Sequence, residues 1–339
     1  MTNDAPRVTR KRSGKGFTYR YADGETLKDK AWRKWIASLA IPPAWHDVEI
    51  VLDERHHIHA TGRDSAGRKQ YVYNAKWREK REALKFDRIV EFAGRLTPMR
   101  RITGQHMTLE GLPREKVLAC MVRLIDSAYF RPGSERYRQE NESYGLTTMR
   151  SKHLTIEGDE LIFDYQGKSG QHQHRVVEDD KLAEIVGELD DVPGYEIFKY
   201  FDEDGNKVRV DSHDLNDYIH EVMGERFSAK DFRTWAGTSL AALALEEFGV
   251  GDDEKVSEKN VRQAVEHVAQ KLGNTPSIAK ASYIDPRVVE SYLDGRTLEH
   301  FRKLVETEIE NDDDLTSPDE RAILGLLQAK LEKRRSRER

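Results

Sequence analysis

The chain has 339 residues, 35% of them Asp, Glu, Lys or Arg, and a mean hydropathy of −0.78. No apolar run approaches the ~18–20 residues of a membrane span, which excludes a helical membrane bundle. Cys120 is the only cysteine, which excludes an internal disulfide and a thiolate metal cluster.

The opening segment MTNDAPRVTRKRSGKG has no apolar h-region, so an intracellular, cytoplasmic chain is expected. The net charge of −5 hides an asymmetry: residues 1–100 carry 22 Lys and Arg against 13 Asp and Glu. The rest of the chain is acidic, helped by the runs GDDE (251–254) and ENDDD (310–314). A basic N-terminal segment is a plausible footprint for a polyanion such as nucleic acid, and a solvated mixed-charge surface is the plain alternative.

In chain order, residues 1–20 are basic and contain Gly and Ser, which predicts a flexible arm. ETLKDKAWRKWIASL (25–39) has helical spacing and is stopped by IPPAW. VEIVLD, HIHATG and KQYVY read as short strands, and a charged helix follows over 75–96. The pattern gives an α+β domain over 21–98 and a mainly helical domain over 99–339. Within the second, 114–130 carries an apolar face at helical spacing. HLTIEG, ELIFDYQ and QHRVVE make a small three-stranded antiparallel sheet. Helices are expected at 178–189, 211–224, 229–247 and 257–272. A last helix begins after Ser317, with Pro318 in its first turn and Glu320 completing a capping box; its basic tail is expected to fray.

Chemistry concentrates at turns. Arg131 follows a long helix in AYFRPG, Lys168 sits at a hairpin tip in YQGKSG, and Lys230 and Arg233 lie in SAKDFRTW. Asn274 and Tyr283 close the set in LGNTPSIAKASY. Two arginines, two lysines, an amide and a phenol suit phosphoryl transfer, because guanidinium binds non-bridging oxygens through paired hydrogen bonds. Each has a plain alternative: Arg131 as a helix cap, Lys168 as a solvated turn residue, Arg233 in an ion pair, Tyr283 as filler.

Together with ENESYGLTTMRSKHL and RDSAGRKQYVY, these motifs resemble the type IB DNA topoisomerases of the small poxvirus and bacterial kind, over roughly residues 30–295. The resemblance implies an α+β fold: a β-rich N-terminal domain and a helical catalytic domain of the tyrosine recombinase/topoisomerase IB type, closing as a C-shaped clamp on duplex DNA. It implies Tyr283 as nucleophile, Lys168 as general acid, and Arg131 and Arg233 as phosphate ligands. The family commonly has histidine where this chain has Asn274, so only an amide hydrogen bond is offered there. Gln70, Tyr71, Tyr73, Tyr137 and Lys230 fall on DNA-contact positions. Strand alternation puts Tyr71 and Tyr73 on one face and Gln70 on the other, with cross-strand packing as the other reading of the tyrosines. The implied enzyme is a monomer of the bacterial cytoplasm and nucleoid. It makes a 3′-phosphotyrosyl intermediate and needs neither metal nor nucleotide cofactor.

A tyrosine site-specific recombinase is the alternative enzyme, although recombinases usually show His-x-x-Arg where this chain has Lys230-x-x-Arg233. A non-catalytic DNA clamp is a third reading, weakened by the joint presence of Arg131, Lys168, Arg233 and Tyr283. GKS at 167–169 is not a P-loop, because the first glycine of that motif would fall on Ile162 and no helix follows. DEDGN (202–206) reads as a turn between short strands rather than a calcium loop. The histidine runs at 56–59 and 172–174 lack ligand-spaced partners, so no metal site is expected.

Overall fold

A computed structural model describes residues 5–14, 16–306 and 315–338, so the acidic run at 310–314 lies outside the described residues. The chain divides into two units, Met1–Phe86 and Asp87–Arg339.

The first unit contains strands β1 (Arg7–Ser13) and β2 (Gly16–Arg20), helix α1 (Lys30–Ser38), and strands β3 (His46–Val51), β4 (Ile58–Arg63) and β5 (Lys69–Tyr73). They form one antiparallel sheet in the order β2-β1-β3-β4-β5. The flexible arm expected over 1–20 is therefore a hairpin on this sheet where described. Val8 is buried with Leu27, Ile36, Val48 and Ile50. Arg10 is used locally: it donates to the carbonyls of Ile41, Pro42 and Trp45 at 3.2, 2.9 and 2.7 Å. Basic composition suggested disorder, but one buried valine and one carbonyl-capping arginine are enough to pin a strand whose edge is paired.

Helix α2 (Ala75–His106) runs across the division after Phe86, which falls twelve residues before the boundary at 98 that composition suggests. The helix does not stop at 96, because Pro98 lies inside it. Phe92, Leu96, Met99 and Thr103 are buried on both sides of the proline. That burial outweighs the roughly 3 kcal/mol an interior proline costs.

The second unit continues with α3 (Arg114–Ala128), α4 (Glu135–Asn141), β6 (Leu154–Glu157), β7 (Glu160–Gln166), β8 (His172–Glu178) and α5 (Asp180–Asp191). After the hairpin β9 (Lys199–Phe201) and β10 (Lys207–Arg209) come α6 (Ser212–Met223), α7 (Ala229–Phe248) and α8 (Glu254–Leu272). The chain ends with α9 (Pro276–Ser282), α10 (Pro286–Leu293), α11 (Leu298–Glu306) and α12 (Pro318–Glu338). The turn Asp202–Asn206 joins β9 to β10, closed by Asn206 and Gly205 amides on Asp202. The capping box of α12 is made: Glu320 N donates to Ser317 Oγ at 3.1 Å and Ser317 N to Glu320 Oε2 at 3.0 Å. The helix carries on through the basic end rather than fraying at Lys330.

Helix α7 is the centre of this unit. Every residue from Asp231 to Thr238 is buried, charged ones included, so the helix is packed all round rather than on one stripe. The α+β fold class follows: a β-rich first unit and a mainly helical second unit with the three-stranded sheet β6-β7-β8.

Candidate active site

Buried arginines need acceptors, and helix C-termini supply them, because the last carbonyls of a helix have no intrahelical partner. Arg233 on α7 donates through Nη2 to the carbonyl of Leu272, the last residue of α8, at 2.7 Å, and through Nη1 to the carbonyl of Tyr129. Tyr129 caps α3 in the left-handed region, at φ 62°, and its carbonyl is thereby offered to the guanidinium. Arg131, two residues on, donates through Nη2 to Gly273 O and to Asn274 Oδ1, both at 2.7 Å. Gly273 is the left-handed cap of α8. Both guanidiniums thus reach helix C-termini, which meets the capping alternative for Arg131, whereas Arg233 binds backbone carbonyls and forms no ion pair among the described residues. Arg131 nonetheless makes no protein hydrogen bond through Nε or Nη1 among the described residues.

Burial weakens both cations. The Arg233 pKa is pulled down to about 10, first by desolvation and then by the Arg131 charge, with a hydrogen bond to Tyr283 opposing. Burial also lowers that of Arg131. Both remain charged at neutral pH. Two desolvated positive charges side by side make a site that an anion relieves.

Tyr283 occupies the joint between α9 and α10. Thr275 caps α9, accepting from Ile278 N at 3.3 Å, and Pro276 starts it, so the seven-residue helix ends with Tyr283 as its cap. Tyr283 N donates to Ala279 O at 2.9 Å. Asp285 then caps α10 and binds Arg287 at 2.6 Å, both buried. The guanidinium carbon of Arg233 stands 5.2 Å from the Tyr283 ring centre. A glycine makes this packing possible. A Cβ on Gly237 would lie 2.6 Å from the Tyr283 carbonyl oxygen and 2.8 Å from its Cβ. Next to it, Thr238 Oγ1 donates to Tyr283 O at 3.3 Å and accepts from Asp285 N at 3.1 Å.

Arg131, Lys168, Lys230, Arg233 and Tyr283 line one cleft of about 480 Å³, together with Pro132, Asn216, His220, Ser228 and Ala229. Lys168 is exposed at the tip of the β7–β8 hairpin, in a single 3-10 turn, Lys168–Gly170. Asn274 reaches the cleft residues through Arg131; its Nδ2 is buried and has no hydrogen-bond partner among the described residues. Five residues spread over more than 150 positions of sequence converge there, and Asn274 stands beside them.

The other expected DNA contacts lie elsewhere. Tyr137 is exposed on α4 and does not line the cleft. In the first unit Tyr71 and Tyr73 are exposed and stack on each other at 5.8 Å, and Tyr73 stacks on Trp77 at 5.4 Å. Gln70 is part-buried and donates to Asp64 Oδ2 at 2.9 Å. The histidine runs make local contacts: His172 and His174 both pair with Asp164, at 3.0 and 3.1 Å. No group of metal-ligating side chains occurs among the described residues.

Sequence reasoning missed Asn216, which accepts from Ala229 N at 3.1 Å and seats the start of α7. It also missed Gly237, Thr238, Gln173 and Arg175. Arg175 donates to Lys271 O and Gln173 Oε1, and it is one of the charges acting on Arg131, Arg233 and Tyr165. None of these carried a motif. The one available signal was the alternation of Gln173, Arg175 and Val177 along β8.

The family model for the eukaryotic DNA topoisomerase I catalytic core matches residues 74–307, which contain every residue of the cleft. This chain belongs to the type IB DNA topoisomerase family. The model of the bacterial DNA topoisomerase IB N-terminal domain matches residues 16–64. The chain is 33% identical over 296 residues to DNA topoisomerase 1B of Acanthamoeba polyphaga mimivirus, covering 84% of this chain and 87% of that one. It is 26% identical over 249 residues to DNA topoisomerase 1B of vaccinia virus, covering 71% of this chain and 74% of the relative. In this type IB topoisomerase family member the cleft lies in the unit that the catalytic-core model covers.

Proposed function

We propose that the chain relaxes supercoiled duplex DNA by transient single-strand cleavage at Tyr283. The observation that carries this reading is the convergence of one phenol, two desolvated guanidiniums and a hairpin lysine on a single cleft. The Tyr283 oxygen attacks the phosphorus, the phenol proton is released, and the bond to the 5′ oxygen breaks. Lys168 delivers a proton to that oxygen, leaving a free 5′-hydroxyl and a 3′-phosphotyrosyl bond. Arg131 and Arg233 hold the non-bridging oxygens. Asn274, its Oδ1 taken by Arg131, has only its buried Nδ2 to donate, which suits a third contact to phosphate.

The phosphotyrosyl bond keeps the energy of the broken linkage, so religation reverses cleavage and ATP is unnecessary. The two guanidiniums supply the charge compensation of the transition state, so no metal is called for. In this reading Gln70, Tyr71 and Tyr73 contact the duplex from the first unit, and Tyr137 and Lys230 from the second. The enzyme acts as a monomer on cytoplasmic, nucleoid DNA.

The test is relaxation of plasmid in EDTA without nucleotide. Positive and negative supercoils should both be removed, and denaturant added mid-reaction should leave nicked DNA with protein on the 3′ end. Tyr283→Phe should bind duplex and form no covalent product. A strict magnesium requirement, a 5′-linked protein, or a covalent band in Tyr283→Phe would overturn the assignment.

A further inference from the structure

Lys168 stands at an exposed turn whose hydrogen bonds, among the described residues, are short backbone contacts. Gly167 N donates to Gln171 O at 2.8 Å and Gly170 N to Gly167 O at 3.2 Å, with Ser169 left-handed between them at φ 63°. Such a tip has no evident means of keeping its lysine in register with the phosphate side of the cleft. One buried side chain supplies it.

Gln173 lies on β8 opposite Tyr165 and is 6% exposed. Its side chain passes under one glycine and ends on another. A Cβ on Gly167, the residue before Lys168, would lie 2.8 Å from Gln173 Cγ. A Cβ on Gly273, the residue before Asn274, would lie 2.5 Å from Gln173 Oε1 and 2.6 Å from Nε2. The carboxamide is held at both ends: Nε2 donates to His172 O at 3.0 Å, and Oε1 accepts from Arg175 Nη2 at 2.8 Å. Arg175 in turn donates to Lys271 O, and the Gly273 carbonyl accepts from Arg131. One side chain therefore lies against Gly167 at the root of the lysine turn, through its Cγ, and against Gly273, which precedes Asn274 and accepts from Arg131, through its carboxamide.

We propose that Gln173 is a positioning residue that sets the Lys168 hairpin against the Gly273–Asn274 turn, so that the general acid arrives in register with the bound phosphate. The proposal rests on the assignment of Lys168 as proton donor. A side chain that merely packed the sheet would affect every step alike. A side chain that places the acid affects only the step that needs the acid.

A duplex with sulfur in place of the scissile 5′ oxygen separates the two, because a thiolate leaves without a proton. In single-turnover cleavage, Gln173→Ala should slow the oxygen duplex about 10-fold or more, a fraction of the ~10²–10⁴ a positioned acid is worth. On the sulfur duplex it should match the parent within about 2-fold, with unchanged duplex affinity. Should Gln173→Ala fail to fold, Gln173→Met keeps the side-chain length, loses both polar contacts and carries the same comparison. Equal slowing on both duplexes, or no slowing on either, overturns the positioning role. Lys168→Ala, assayed alongside, distinguishes the failures. If sulfur does not rescue Lys168→Ala, the proton-donor assignment falls and the proposal with it. Rescue there without rescue in the Gln173 variant removes the positioning role alone.

Discussion

The two sides of the cleft are built on opposite terms. On one side Arg131 and Arg233 are desolvated and tied to the carbonyls of Tyr129, Leu272 and Gly273 at the ends of α3 and α8. On the other side Lys168 stands exposed on a three-residue turn. The difference matches the role proposed for each group. Charge compensation works best from donors already oriented and dry, so that nothing reorganises as charge develops. A proton donor must load and deliver a proton, which a buried lysine does poorly because burial disfavours its charged form. In the proposed reaction, rigidity lies under the charges and access is left to the proton donor.

Removing Arg233 attacks the rigid side at its centre and should have the largest effect. Arg233→Ala strands two buried carbonyls and deletes an oxyanion contact, so single-turnover cleavage should fall roughly 10³-fold. Sulfur at the 5′ position should not restore it, because the missing function is not the proton. Thermal melting should also fall. A rescue by sulfur would mean that the two sides are not separable.

Lys168→Ala should cost less, about 10²-fold on oxygen, and recover on the sulfur duplex with no change in melting temperature. The exposed lysine has little to contribute to the fold. A melting shift comparable to that of Arg233→Ala would show that the hairpin tip is structural after all.

Gly237→Ala sharpens the account of the rigid side. The added methyl meets the Tyr283 carbonyl and Cβ, so the nucleophile must shift by a few tenths of an ångström or more. Cleavage should slow about 10-fold on oxygen and sulfur alike, since misplaced nucleophiles lose rate whatever the leaving group. Gly94→Ala, in α2 with nothing near the added methyl, is the matched control and should be silent.

Asn274 should show the smallest effect. Asn274→Ala removes one neutral donor and should slow cleavage about 5-fold, in keeping with ~1 kcal/mol for such a bond. Asn274→His restores a donor and should stay near the parent rate. A dead histidine variant would show that the contact from Arg131 to Asn274 Oδ1, rather than the donor, is what the site needs.

Much of the second unit could be read from local pattern, because its helices announce their ends. Thr275, Pro276 and the seven residues that follow place Tyr283 at a helix cap, and Ser317, Pro318 and Glu320 place the start of α12. Propensity misled where tertiary burial overruled it. Pro98 did not end α2, because apolar residues on both sides of it are in the core. The basic N-terminal residues are not an arm, because Val8 and Arg10 have places to go.

The sequence by itself determined the family motifs, the candidate residues they carry and the type of element under most of them, since capping, periodicity and motif spacing act within about a dozen neighbouring positions. Only the tertiary structure decided their surroundings. It alone made Arg233 a buried cation on carbonyls at the ends of two other helices, and brought Gly237 against Tyr283. It alone ran Gln173 from the lysine hairpin to the turn before Asn274. Those relations join segments 39 to 142 residues apart, as between Arg233 and Leu272 or Arg131 and Gly273. No local periodicity records them, because they arise when helix ends with unpaired carbonyls and side chains with unpaired donors are packed into the same dry volume.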